Sequence, residues 1–171
     1  MTISLRPTTA NDVEAVSRVL AASYGVLLKP AYPADVLAII VPLIGRAKPE
    51  LVSSGTYYAA EENGYIIAVG GWTRTRPGTN AIVEGLGHIR HVATDPLHLR
   101  KGAAALIMRH CLSEAAGAGM NQMECLSTRT AVPFYAKCGF KTIIEKDVMV
   151  AGVPFASVEM HLSFSVTAPR K

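Results

Sequence analysis

Apolar residues recur at helical spacing in "TANDVEAVSRVLAASY", where Val13, Val16, Val19 and Leu20 share one face. Thr9 stands ahead of that face as an N-cap with Asp12 three residues on, a pairing that occupies the first free amides of a helix. Before it, "ISLRPTT" reads as a short strand ending at Pro7. "PADVLAIIVPLIGRAK" is a second helical stretch, expected to kink or split at Pro42, which has no amide hydrogen to donate. The pattern then turns β-rich. "TYYAAEENGYIIAVGGWTRTR" predicts a hairpin turning at Asn63-Gly64, and Gly70 and Gly71 in its second strand predict a bulge or a close backbone approach. "PGTN" marks another turn and "AIVEGLGHIRHVAT" a long strand. Simple alternation puts Glu84, His88, Arg90, Val92 and Thr94 on one face of it and His91 on the other.

A helix follows from about Gly102 to Ala116, closed by Gly117 and Gly119. "NQMECLS" is a strand, "AVPFYAKCGF" a short helix stopped by Gly139, and "KTIIEKDVMV" and "PFASVEMHLSF" are strands joined at Gly152. Seven strands and four helices in this order predict a mixed α/β sheet with helices packed on it, in one domain over residues 1–171.

Composition agrees. Half of the 171 residues are hydrophobic and 18% are charged, enough apolar material for a core. The net charge of +4 favours anionic partners, but the basic residues are scattered, which argues against nucleic acid. Cys111, Cys125 and Cys138 are odd in number and form no metal-ligand pattern, so they read as reduced apolar fillers of a cytoplasmic protein. "MTISLRPTT" has no signal core, and the longest apolar run, "VLAIIVPLI", is about half of the roughly 20 residues a membrane span needs. Neither a membrane nor a metal is expected.

The candidate chemistry begins at "LRKGAA". Helix starts carry unpaired amides and partial positive charge, so an anion settles there if small side chains let it approach. Gly102, Ala103, Ala104 and Ala105 give that clearance, and Arg100 and Lys101 add charge. A solvated loop before a good helix former would look the same. "STRTAVPFYAKCGF" changes the balance, with an aromatic pair and a Gly-Phe stop one strand later.

The two segments together resemble the GNAT superfamily of acyl-CoA-dependent N-acyltransferases. The loop Leu99 to Ala104 is similar to that family's [QR]-x-x-G-x-[GA], and Ala131, Phe134, Tyr135, Gly139 and Phe140 to its A-x-x-F-Y-x-x-x-G-F. Leu99 departs from the usual Gln or Arg, and Thr128 stands where Asn is common. The resemblance implies a mixed, largely antiparallel sheet of about seven strands flanked by about four helices. It implies acetyl-CoA as the acyl-donor co-substrate, its pyrophosphate on the backbone of Arg100 to Ala104 and its pantetheine arm along Val92 and Thr94. It implies Tyr135 as general acid to the leaving thiolate. In "HIRHVAT" the family's base glutamate is replaced by His88, which leaves His88, Glu84 or bound water as the base. The acceptor would be a primary amine of a small molecule or peptide, in a pocket shaped by Val26 to Ser54, whose apolar character points to a small amine. A homodimer is common in the family and the sequence leaves the assembly open. A catalytically silent acyl-CoA-binding module is the alternative. Trp72 and His161 read as structural.

Overall fold

The computed structural model describes residues 2–165, among which seven strands form one sheet in the order β1-β2-β3-β4-β5-β7-β6. The strands are β1 (Ile3–Pro7), β2 (Tyr57–Glu62), β3 (Tyr65–Thr73), β4 (Leu86–Thr94), β5 (Gln122–Thr128), β6 (Lys141–Val150) and β7 (Val153–Ser163). All neighbours are antiparallel except β4 and β5. The helices are α1 (Val13–Leu27), α2 (Ala34–Ile44), α3 (Pro49–Val52), α4 (Ala103–Gly117) and α5 (Val132–Lys137).

The helices cover both faces. The α1 stripe of Val16, Val19 and Leu20 is fully buried against Tyr57, Ala59, Val69 and Ala93 of the sheet. On the opposite face Ala103, Ile107, Met108, Cys111 and Ala115 of α4 pack with Trp72, Ile89, Met123 and the Tyr135 and Phe140 rings. Trp72 is core, its Nε1 donating to Glu114 at 2.8 Å. A third cluster joins Leu28, Tyr32 and α2 to Phe155 of β7.

Local chemistry sets the ends. The Asp12 carboxylate accepts from the Thr9 amide at 2.7 Å and takes both Arg6 terminal nitrogens at 2.8 and 2.9 Å, so the predicted cap also anchors β1. The helix opens with a 3-10 turn over Ala10–Asp12. The β2–β3 turn holds Asn63 at φ 54 and Gly64 at φ 77, the pair of positive angles that matches strand twist. Behind α5, Gly139 at φ 103 lets the Phe140 amide reach back to the Tyr135 carbonyl at 3.1 Å.

Three expectations are corrected. Helix α2 runs through Pro42 without splitting, because Pro42 sits in its last turn, where a single missing bond is tolerated; the separate helix is α3, begun by Pro49. Strand β4 starts at Leu86 instead of Ala81, and Ile82 makes only an isolated bridge to Thr75. The residues of β4 also do not alternate simply. His91 takes a left-handed φ of 43, and Gly70 alone faces the two residues His91 and Val92 between the pairs Val69↔Ala93 and Gly71↔Arg90. This bulge shifts the phase by one. Ile89 and Val92 therefore both pack toward α4, whereas Ala93 packs toward α1. Gly70 admits it because a Cβ there would stand 2.8 Å from Val92 Cγ2.

Candidate active site

The parallel ladder of β4 and β5 has three pairs, Leu86↔Gln122, Gly87↔Met123 and His88↔Glu124. Beyond His88 the bulge carries β4 away, and a cleft of about 300 Å³ opens between the strands. Tyr57 fixes the bend, its hydroxyl donating to the His91 carbonyl at 2.8 Å. Ile89, Arg90, His91 and Val92 line the cleft from β4, and Cys125, Leu126 and Thr128 from β5. Tyr24 of α1, Ile44 of α2 and Lys48 form one wall, and Val148, Val150 and Phe155 of the β6–β7 hairpin another. Ala131 and Tyr135 close it near α5.

Tyr135 is 7% exposed, in edge contact with Phe134 and Phe140, and its hydroxyl has no hydrogen-bond partner among the described residues. Burial pushes its phenol well above the ordinary value of 10. Thr128 stands at the end of β5, its hydroxyl 3.2 Å from that of Thr130. Beyond β4 the chain passes Asp95, whose carboxylate caps a short 3-10 turn by accepting from the Leu97 amide at 3.0 Å. Arg100 at φ 61 and Gly102 at φ 80 are both left-handed and flank Lys101 at the start of α4. Nothing lies within 4 Å of where a Gly102 Cβ would be. Arg100 and Leu99 are exposed, and Lys101 holds Glu62 at 2.7 Å. Small residues and turned backbone thus leave the amides of Gly102, Ala103 and Ala104 open for an anion.

The sequence-predicted residues divide accordingly. Val92, Thr128 and Tyr135 line the cleft, and Leu99 to Ala104 form the loop and helix start beyond it; Thr94 lies between the two. His88 is buried in the sheet between Thr73 and Glu124, with Nε2 lacking a hydrogen-bond partner, and does not line the cleft. Burial pulls its imidazole below the usual 6.5 against the pull of Glu124. Glu84 is exposed in the turn before β4, outside the cleft. The sequence reading missed His91, which alternation sends to the far face but the bulge turns into the cleft. The Gly70-Gly71 pair was the available signal. Burial, with Arg90 and Lys48 nearby, pulls His91 down to about 4. Glu124, Glu159 and His161 could bring ligand atoms within 4.8 Å of one another. They already form an ion network, with Lys146 on Glu159 at 2.6 Å, His161 on Glu159 at 2.9 Å and Arg76 on Glu124 at 3.9 Å.

The sheet splits along its one parallel seam, and the start of α4, where the first amides have no helical partner, lies beyond the split. Residues 45–162 match the family model of the acetyltransferase (GNAT) domain, and the chain belongs to that family. The uncharacterized N-acetyltransferase YjcF of Bacillus subtilis (strain 168) is 27% identical over 93 residues, which span 54% of this chain and 66% of that protein. Among solved structures, one from Rhodopseudomonas palustris described as a GCN5-related N-acetyltransferase, aminotransferase class-II, is similar with a TM-score of 0.77 and 18% identity, over 96% of this chain and 97% of the other. The PaiA N-acetyltransferase of Thermoplasma acidophilum, solved with coenzyme A, is similar with a TM-score of 0.71 and 15% identity, over 96% and 100%. At these identities the structural likeness establishes the fold. No helix among the described residues is long and apolar enough to cross a membrane.

Proposed function

We propose that the protein transfers an acetyl group from acetyl-CoA to a primary amine of a small molecule or peptide, by direct attack in a ternary complex. The observation that carries this reading is the opening of β4 from β5 after three pairs, with the unpartnered Tyr135 hydroxyl at the cleft. The pantetheine arm runs beside β4 near Val92 and Thr94 and takes the place of a neighbouring strand. The pyrophosphate sits on the backbone from Arg100 to Ala104, bordered by Leu99, and Thr128 flanks the arm. CoA-bound relatives such as the Thermoplasma enzyme support this donor.

In the reaction the amine lone pair attacks the thioester carbonyl carbon, the C–S bond breaks, and the leaving sulfur takes the Tyr135 proton. Tyr135 enters protonated, because burial raises its pKa. The same dry surroundings raise the basicity of the departing thiolate, which keeps the two acids matched. The amine proton passes to water in the cleft and is relayed from there to His88, which stands next to Ile89 on β4 and off the cleft surface and whose depressed pKa leaves it neutral at pH 7. Glu84, exposed before the strand, is set aside as a base. His91, pulled down to about 4 by burial, serves as a neutral polar wall.

The test is an amine-panel assay with acetyl-CoA, following release of free thiol. Turnover with at least one amine is expected, together with a rise in Tm when CoA is added. Failure of both would overturn the proposal.

A further inference from the structure

Among the described residues three arginines find carboxylates. Arg6 pairs with Asp12 and Glu61, Arg18 with Asp95, and Arg76 approaches Glu124. Arg90 is different. It is 9% exposed, donates Nη1 to the Thr73 hydroxyl at 3.0 Å, and has no carboxylate partner among the described residues. It lines the cleft together with Lys48, and no aspartate or glutamate lines it. An unpaired charge is expensive to bury, and a guanidinium has more donors than one hydroxyl can occupy.

We propose that Arg90 receives a carboxylate of the acceptor, so that the amine acetylated belongs to a small apolar amino carboxylate such as a free amino acid with a hydrocarbon or aromatic side chain. This rests on the acetyltransferase reading and narrows it. A guanidinium fork matches a carboxylate bidentately, and in a dry site the pair gains strength that water would remove. Lys48 at the wall adds a second positive charge. Ile44, Val148, Val150 and Phe155 give the same cleft an apolar lining, with Tyr24 and Ser157 as polar neighbours. A cleft of about 300 Å³ that also admits the acyl donor leaves room for a few carbons of side chain. Cations on the wall also oppose binding of an acceptor whose only charge is an ammonium, since nothing there neutralises it.

The experiment compares L-leucine with L-leucinamide, and L-phenylalanine with its amide, in the thiol-release assay. The amide's amine is less basic and more of it is free to attack, so preference for the acid runs against intrinsic reactivity. The wild type is expected to favour the acids by roughly 10²-fold in kcat/KM, mostly through KM. R90M should abolish the preference and R90K keep part of it. R90M should melt no lower than wild type, because it removes a buried charge, and that excludes misfolding as the cause. A second measurement is free of turnover: calorimetric titration of N-acetyl-L-leucine and N-acetyl-L-leucinamide into protein loaded with CoA, where the acid should bind at least about tenfold more tightly. Amides equal to or better than acids in both assays overturn this inference and leave the acetyltransferase reading standing. Failure of CoA to bind, with no turnover of any amine, overturns both.

Discussion

The two ends of the cleft are built by opposite means. The proposed donor end is main chain: the left-handed turns at Arg100 and Gly102, the open helix start at Ala103, and the edge that β4 exposes once β5 leaves it. Its side chains matter by being small. The proposed acceptor end is side chain, with contributions from α1, α2, β4 and the β6–β7 hairpin, Arg90 of β4 among them. A donor common to many enzymes can be held by backbone geometry, which tolerates changes of sequence. An acceptor peculiar to one enzyme has to be read by side chains.

The sharpest way to break this comparison is at Gly102. Gly102→Val places a β-branched residue at φ 80, which such residues resist, and fills space that is empty out to 4 Å. With two charge-assisted bonds to the pyrophosphate lost, the calorimetric Kd for CoA should rise by about 10²-fold or more. Gly102→Ala separates the two causes: it keeps the backbone strain, adds little bulk, and should lose about tenfold. If valine binds CoA as well as wild type, the donor end is not held by this backbone.

Tyr135→Phe tests the junction of the two ends. The ring's contacts with Phe134 and Phe140 survive, so CoA affinity and Tm should hold. Only the proton is lost, and kcat should fall roughly 10²-fold. An unchanged kcat would reduce Tyr135 to packing.

The same contrast explains what the sequence revealed. The proposed donor loop is contiguous, so "LRKGAA" and the Phe134-Tyr135 pair were visible, and so was the fold, whose first apolar period matches the buried face of α1. The acceptor wall draws on residues as distant as Tyr24 and Phe155, which no local pattern joins. The bulge was half legible. Gly70 and Gly71 announced an irregularity but not that His91, on the facing strand, would absorb it by turning left-handed. The one-residue slip then moved Val92 and Thr94 off the face of His88 and Arg90, a non-local event that alternation cannot foresee.

His88→Gln is expected to cost less than the tyrosine change, about tenfold in kcat/KM, because water retains part of the base's task. Its signature is the pH profile. The folded pKa lies below the ordinary 6.5, so the base is active above that depressed value and the acid limb falls on the low side of 6.5. The limb should vanish in the variant. Two acceptor amines of different pKa distinguish enzyme from substrate: a limb that moves with the amine belongs to the amine. A fixed limb that survives His88→Gln would exclude His88.

The smallest effect concerns His91, and it appears in stability. Its folded pKa of about 4 lies below the ordinary 6.5, so from pH 6.5 downward the unfolded chain binds a proton that the folded chain refuses. Stability from this group is therefore complete above pH 6.5, is lost as the pH falls toward about 4, and levels off below that. His91→Asn removes the titration and keeps a residue that accepts φ 43, so the bulge and the Tyr57 bond to its carbonyl should persist. Other groups titrate in or near this range, Asp12 beside Arg6 and His88 among them, but they are common to both proteins and cancel in the difference. The Tm of wild type minus that of the variant, measured from pH 8 to pH 4, should decline through the window by a few degrees. A flat difference would mean that His91 takes up its proton in the folded protein as easily as in water, and that the bulge does not hold it in the dry wall of the cleft.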